Sequence, residues 1–205
     1  WLKELTEVAY NDYINSSHDP YNLEVIEEYK IFNETNVKLY EALEKEGYVF
    51  EVWKGKGEPY RNELAMQKDI ANKHLWILDT KNNFGPGGGP GNKNVREFIK
   101  EKLGEEEFLK QNVSKRWEYF DAFKEGEGFH PYIVEHFPML GKAKGIKEMT
   151  LNDVYRAVHD VYAHSVYGNN FSLAGEYFAG ASSITLYPRA ARRISVAESI
   201  SSSAF

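Results

Sequence analysis

The spacing of apolar residues predicts an α+β protein that is predominantly α-helical with a small β-sheet. Three observations carry this: long stretches with apolar residues at three- and four-residue intervals, two short runs of branched and aromatic residues over 48–53 and 74–80, and turn-forming residues between them. With 42% apolar, 15% aromatic and only 27% charged residues, the 205-residue chain has enough apolar surface to offset its conformational entropy, so a packed core is expected. The expectation is a single domain over 1–205. It comprises a helical part with the small sheet over 1–84, a Gly/Pro loop over 85–91 and a helical region over 92–205.

Taken in order, Leu2, Leu5, Val8 and Ala9 form a helical stripe over 2–13. Asp19-Pro20 starts a second and longest helix, whose apolar positions Leu23, Ile26, Tyr29, Phe32, Val37, Tyr40 and Leu43 keep helical spacing until Gly47 stops it. A short strand follows over 48–53, a Gly-rich turn over 54–59, and helix again over 62–72. The run from His74 to Leu78 is short and apolar enough to be a buried strand beside the first, which gives His74 a structural role. Five glycines and two prolines over 85–91 exclude helix and strand. Because this segment lacks the Gly-Lys-Ser/Thr ending of a phosphate-binding loop, it reads as a connector or lid. The stretch 95–123 reads as one or two amphipathic helices with Glu105, Glu106 and Glu107 solvated, and 129–138 as irregular chain packed on the core. A further helix starts near Leu151, capped by Thr150 or Asn152, with Asp153 in its first turn, where negative charge suits the helix dipole. Gly168-Asn169-Asn170 breaks it, Ser172 opens another helix to about 186, and Pro188 suits the first turn of a last one to about 200.

The absence of cysteine removes disulfides, thiolate metal sites and cysteine nucleophiles, so any metal must be held by His, Asp and Glu. A formal net charge of −6 gives no general attraction to nucleic acid, and the Arg189, Arg192, Arg193 cluster is better read as pairing with the acidic surface. Nucleic acid is therefore not an expected partner. No apolar run approaches the roughly 18 residues that span a bilayer, and no membrane partner is expected. The start at Trp1 and an end without a helix stop are read as a fragment of a longer polypeptide, truncated at the C-terminus.

Chemistry concentrates in the helix after Leu151. At about 100° per residue, Leu151, Val154, Val158, Val161 and Tyr162 share one side, and Asp153, Arg156, Asp160 and His164 the other. Asp160 and His164 are i, i+4 neighbours, whereas an ideal helix splays His159 and His164 by about 140°, so only a distorted turn brings the two rings together. One reading is a metal site with His159, His164 and Glu176 as ligands to a divalent ion, Fe or Zn, and with Asp160 as a further ligand or an orienting group. The other is that Asp160 and His164 pair on the helix surface and the polar half faces water. Gly175, Ala179, Gly180, Ser182 and Ser183 would let the Glu176 helix approach closely, or merely pack tightly with Glu176 outside. His130 and His136 are weaker ligand candidates, and no Gly-x-Ser-x-Gly turn supports a serine nucleophile.

The run Asn152-Asp153-Val154-Tyr155-Arg156-Ala157-Val158-His159-Asp160-Val161-Tyr162-Ala163-His164, followed by Gly168, Phe171, Gly175-Glu176, Pro188 and Glu198, resembles an uncharacterised family of tailed-phage and mobile-element proteins. Its pattern is Asn-Asp-hydrophobic-aromatic-Arg-x-Val-His-Asp-x-x-Gly-His, then Gly-x-x-Phe and Gly-Glu, often within larger polyvalent phage proteins. Asp19-Pro20, Pro59-Tyr60, Asp69-Ile70, His74-Leu75-Trp76 and Asn83-Phe84-Gly85 fall in the family's order more loosely. Ala163 replaces the usual Gly, and Ser183 stands where members often have a His. The resemblance implies a phage setting, in host cytoplasm or virion, and favours a polar or metal site at His159, Asp160, His164 and Glu176. It implies no particular reaction. The five-residue separation of His159 and His164 is also similar to that in pterin-dependent aromatic amino-acid hydroxylases, in ligand spacing alone. The resulting expectation is a phage-encoded, metal-dependent hydrolase or oxygenase acting on a small molecule, in which Asp160 or Glu198 serves as base or orienter and Arg156 assists. The alternative is a non-enzymatic protein of the virion, or one binding a host factor.

Overall fold

The computed structural model describes residues 22–80, 124–125, 128–129, 138–146 and 149–201. The expected helix over 2–13, the Gly/Pro loop, the helices over 95–123, and His130 and His136 lie outside the described residues.

The longest described helix, α1, spans Leu23–Lys45. Asn22 starts it by accepting the backbone N–H groups of Glu24 and Val25, which the first turn leaves without helical partners. Gly47 ends it at φ +92°, a conformation that costs glycine little, and Tyr48 N–H turns back to Leu43 O. Strand β1 (Val49–Trp53), helix α2 (Glu63–Ala71) and strand β2 (His74–Leu78) then form one β-α-β unit. The strands pair in parallel, with Val49 opposite His74 and Trp53 opposite Leu78. Asn62 caps α2 by accepting from Ala65 N–H. One face of the sheet buries Phe50, Leu75 and Ile77. The other carries His74, whose two ring nitrogens sit 2.7 Å from Asp69 and 3.1 Å from Glu51. Carboxylates only accept, so this arrangement needs both nitrogens to donate; it ties β1, α2 and β2 together, in keeping with the structural role expected of His74.

A two-residue antiparallel pair, Lys124–Glu125 with Gly128–Phe129, is separate from the main sheet. A 3₁₀ turn (Pro138–Leu140) leads to helix α3, Leu151–His159. Thr150 and Asp153 form a reciprocal capping box at its start. Helix α4 (Leu173–Ser183) and the short α5 (Arg192–Val196) follow, each running on into non-α turns: 3₁₀ over Ile184–Leu186 after α4, and a π segment over Ala197–Ser201 after α5. The expected helix to about 186 thus tightens over its last three residues, and Pro188 stands just before a 3₁₀ turn (Arg189–Ala191) that leads into α5.

Two apolar clusters meet on α3. Val154, Ala157, Val158 and Val161 pack with Tyr40, Leu43, Phe50, Met66, Ile70, Leu75 and Ile77, while Tyr155 packs with Phe32, Met139, Tyr187, Ala191 and Ile194. The polar half of α3 is also covered, contrary to the surface reading. Thr80 N–H donates to Asp153 Oδ1 at 2.9 Å, and Arg156 Nη1 donates to Leu78 O at 3.2 Å. Strand β2 and its extension therefore run antiparallel to α3, stepping from Leu78 to Thr80 as the helix goes back from Arg156 to Asp153. Of the arginine cluster, Arg193 pairs with Glu28 at 2.8 Å and Arg192 donates to the Tyr187 carbonyl, so the acidic pairing expected of the cluster is seen at Arg193. Among the described residues, no helix is long and apolar enough to cross a membrane.

Candidate metal centre

After His159 the helix changes period. Asp160–Val166 forms a π segment, in which backbone bonds close at i→i+5 instead of i→i+4. Residues five apart, splayed on an α-helix, fall on one side of this wider turn. His159 and His164 are such a pair, and their Nε2 atoms lie 3.0 Å apart. The distorted turn that the sequence required is present.

Glu176 comes from the facing helix. Ser172 caps α4, accepting from Gly175 N–H at 3.1 Å, and this places Glu176 in the first turn, where a carboxylate complements the helix dipole. Gly175 lets the preceding loop close on the start of α4: a Cβ built there would lie 1.8 Å from Asn170 O, so no larger residue fits unless backbone moves. Glu176 Oε2 is 3.4 Å from His164 Nε2 and 3.5 Å from His159 Nε2. Gly175→Ala is expected to cost about 1–3 kcal/mol through overpacking. Measured by chemical denaturation, a cost below 0.5 kcal/mol would show that the loop yields freely.

No family model matches this chain, and neither a curated protein nor a solved structure is similar to it. The chemistry therefore has to be read from the geometry.

The three donor atoms lie within 4.8 Å of one another. Bonds of about 2.0–2.1 Å to a tetrahedral zinc separate its ligand atoms by about 3.3 Å, and right-angled octahedral bonds of similar length by about 2.9 Å. Separations of 3.0, 3.4 and 3.5 Å suit an ion of that size. Ring orientation suits it as well. His164 is 1% exposed, and its Nδ1 lies 3.0 Å from Asn169 O, which can only accept; Nδ1 therefore carries a proton, and in the neutral ring Nε2 has a lone pair facing His159 and Glu176. The Tyr155 ring flanks His159 at 5.5 Å and the Phe171 ring flanks His164 at 4.5 Å.

The electrostatics show how tightly the three groups are coupled. Burial alone would raise the Glu176 carboxyl, but hydrogen bonding and charge from His159 and His164 bring it down to about 2. Burial pulls His164 down, and Glu176, Asp160 and the Asn169 carbonyl more than reverse this, leaving it above its usual value.

The other residues named from the sequence stand outside the ligand set. Asp160 feels both histidines and Arg156, yet burial dominates and raises its carboxyl. Glu198, in the π segment after α5, accepts from the Tyr29 hydroxyl at 2.6 Å; burial raises it while Tyr29 and the Arg156 charge oppose the rise. Arg156 thus reaches both carboxylates electrostatically while bonding β2. Ser183, at the position where the resembling family often has a His, is buried and bonds Gly180 O. Sequence reasoning assigned Asn169 only to a helix break. Its signal was the tendency of Asn to bond nearby backbone groups, which marks a turn without revealing that the turn closes on an imidazole.

Proposed function

We propose that the protein is a metal-dependent enzyme of hydrolase or oxygenase type, in which His159, His164 and Glu176 hold one divalent ion, Fe or Zn. The convergence of these three donors carries the reading. Three protein ligands leave positions open for water or a small-molecule substrate, and a bound ion would supply Lewis acidity or, as Fe(II), oxygen chemistry there. Asp160 or Glu198, each with a carboxyl that burial raises, would serve as base or orienting group, and Arg156 provides opposing positive charge to both. The motif resemblance supports a phage-encoded origin, with host cytoplasm or virion as location.

A second reading is a non-enzymatic phage protein in which the same residues are a buried hydrogen-bond network. The 3.0 Å contact between the two Nε2 atoms, itself hydrogen-bond length, favours it. Metal analysis of the protein purified without chelators separates the two. The enzyme reading expects about one equivalent of Fe or Zn, lost in His164→Ala. A wild-type protein free of metal, and unable to take up Zn(II) or Fe(II), would sink it in favour of the network.

A further inference from the structure

The histidine ring that completes the ligand set is held by a residue outside that set. His164 Nδ1 donates to the main-chain oxygen of Asn169 at 3.0 Å. The Asn169 side chain fixes where that oxygen sits: its Nδ2 donates to Ala163 O at 2.7 Å and to Ser182 Oγ at 3.3 Å. Ala163 belongs to the π segment, directly before His164, and Ser182 to α4, the helix that carries Glu176. One amide therefore joins the histidine turn, the following loop and the glutamate helix. Gly168, at φ +68°, supplies the reversal that brings the loop back over the turn. On the far side, Phe171 N–H donates to Glu63 Oε2 at 3.3 Å, tethering the loop to α2.

We propose that Asn169 is a positioning residue that selects the Nδ1–H tautomer of His164 and so keeps Nε2 free as a ligand. This deepens the metal-centre reading and rests on it for its functional meaning, while the tautomer itself is a property of the metal-free protein. An imidazole whose second nitrogen donates to a fixed acceptor is oriented and made more basic, and loss of such a partner weakens metal affinity about 10–100-fold.

Two measurements on the same samples test it. In metal-free protein labelled with 15N-histidine, held above the imidazole titration range, wild type should show His164 protonated at Nδ1. Asn169→Ala should show a mixture with the Nε2–H form, and Ser182→Ala, which removes only one anchor, a smaller shift the same way. Co(II) binding followed by visible absorption should weaken about 10-fold in Asn169→Ala, the lower end of the effect of losing a ligand's partner, because the main-chain acceptor stays but loses its anchors. A folded Asn169→Ala with a pure Nδ1–H His164 and Co(II) affinity within twofold of wild type overturns the proposal. Should Asn169→Ala fail to fold, an unshifted tautomer in Ser182→Ala overturns it equally. A tautomer shift in a protein that binds no Co(II) at all supports the positioning role and removes the metal centre instead.

Discussion

Replacing Asp153 by alanine is expected to destabilise the protein by about 2–4 kcal/mol, which for a chain of this size lowers the melting temperature by about 5–15 °C. Asp153 is 1% exposed and its carboxylate is the hub of the α3 N-terminus. Oδ1 accepts from the Thr80 N–H at 2.9 Å and from the Thr80 hydroxyl, and Oδ2 accepts from the Thr150 N–H and hydroxyl at 2.8 Å each. Alanine leaves a buried Thr80 N–H with no acceptor, at about 1–3 kcal/mol, and dissolves the capping box, at about 1 kcal/mol. Asp153→Asn keeps the shape and one acceptor oxygen but sets an NH₂ against donors, so an intermediate loss is expected. Thermal and urea denaturation provide the measurement. A loss under 1 kcal/mol for Asp153→Ala would mean that β2 and α3 are joined chiefly by apolar packing.

On the proposed metal centre, Glu176→Gln is expected to weaken Zn(II) or Fe(II) binding more than about 100-fold, since removal of a ligand exceeds the 10–100-fold effect of removing a ligand's partner. It should also change the stability of the metal-free protein in a pH-dependent way. The folded Glu176 carboxyl, at about 2, lies below its ordinary 4.5, so its contribution is present above pH 4.5 and is lost as pH falls toward 2. Folded His164 titrates above its ordinary 6.5, so its contribution is fully present below 6.5 and is lost as pH rises through the folded value. The two limits describe one interaction. Wild type minus Glu176→Gln should therefore peak between about pH 4.5 and 6.5, at about 2–3 kcal/mol, and shrink on both sides. A difference that does not vary with pH in chelator-treated protein would show that no ion pair joins these groups.

Much of the scaffold was legible because its punctuation is local. Gly47, Thr150 and Ser172 act where their residue types predict, Asn62 caps α2 at the expected start, and the two short apolar runs are the paired strands. The metal-ligand candidates were legible as residue types, but their convergence was not. A period of 3.6 residues separates the two rings, and nothing in Asp160–Val166 announces bonds that skip five residues. The burial of the polar half of α3 was equally hidden. Asp153 finds Thr80, and Arg156 finds Leu78, across more than seventy residues of chain, and residue spacing within one helix carries no information about such partners.

On an ordinary α-helix, side chains four apart already neighbour one another, so two imidazoles could have been juxtaposed with one amino acid fewer between them. The surplus amino acid in Asp160–Val166 is thus redundant for bringing the rings together. What it alters is phase: everything C-terminal to it is rotated by about 100° relative to an unbroken helix, which changes the direction in which the chain leaves toward Gly168. Excising one position there should leave a ring pair but redirect the loop that carries Asn169, so the length of this turn, as much as its composition, sets where His164 meets its carbonyl partner.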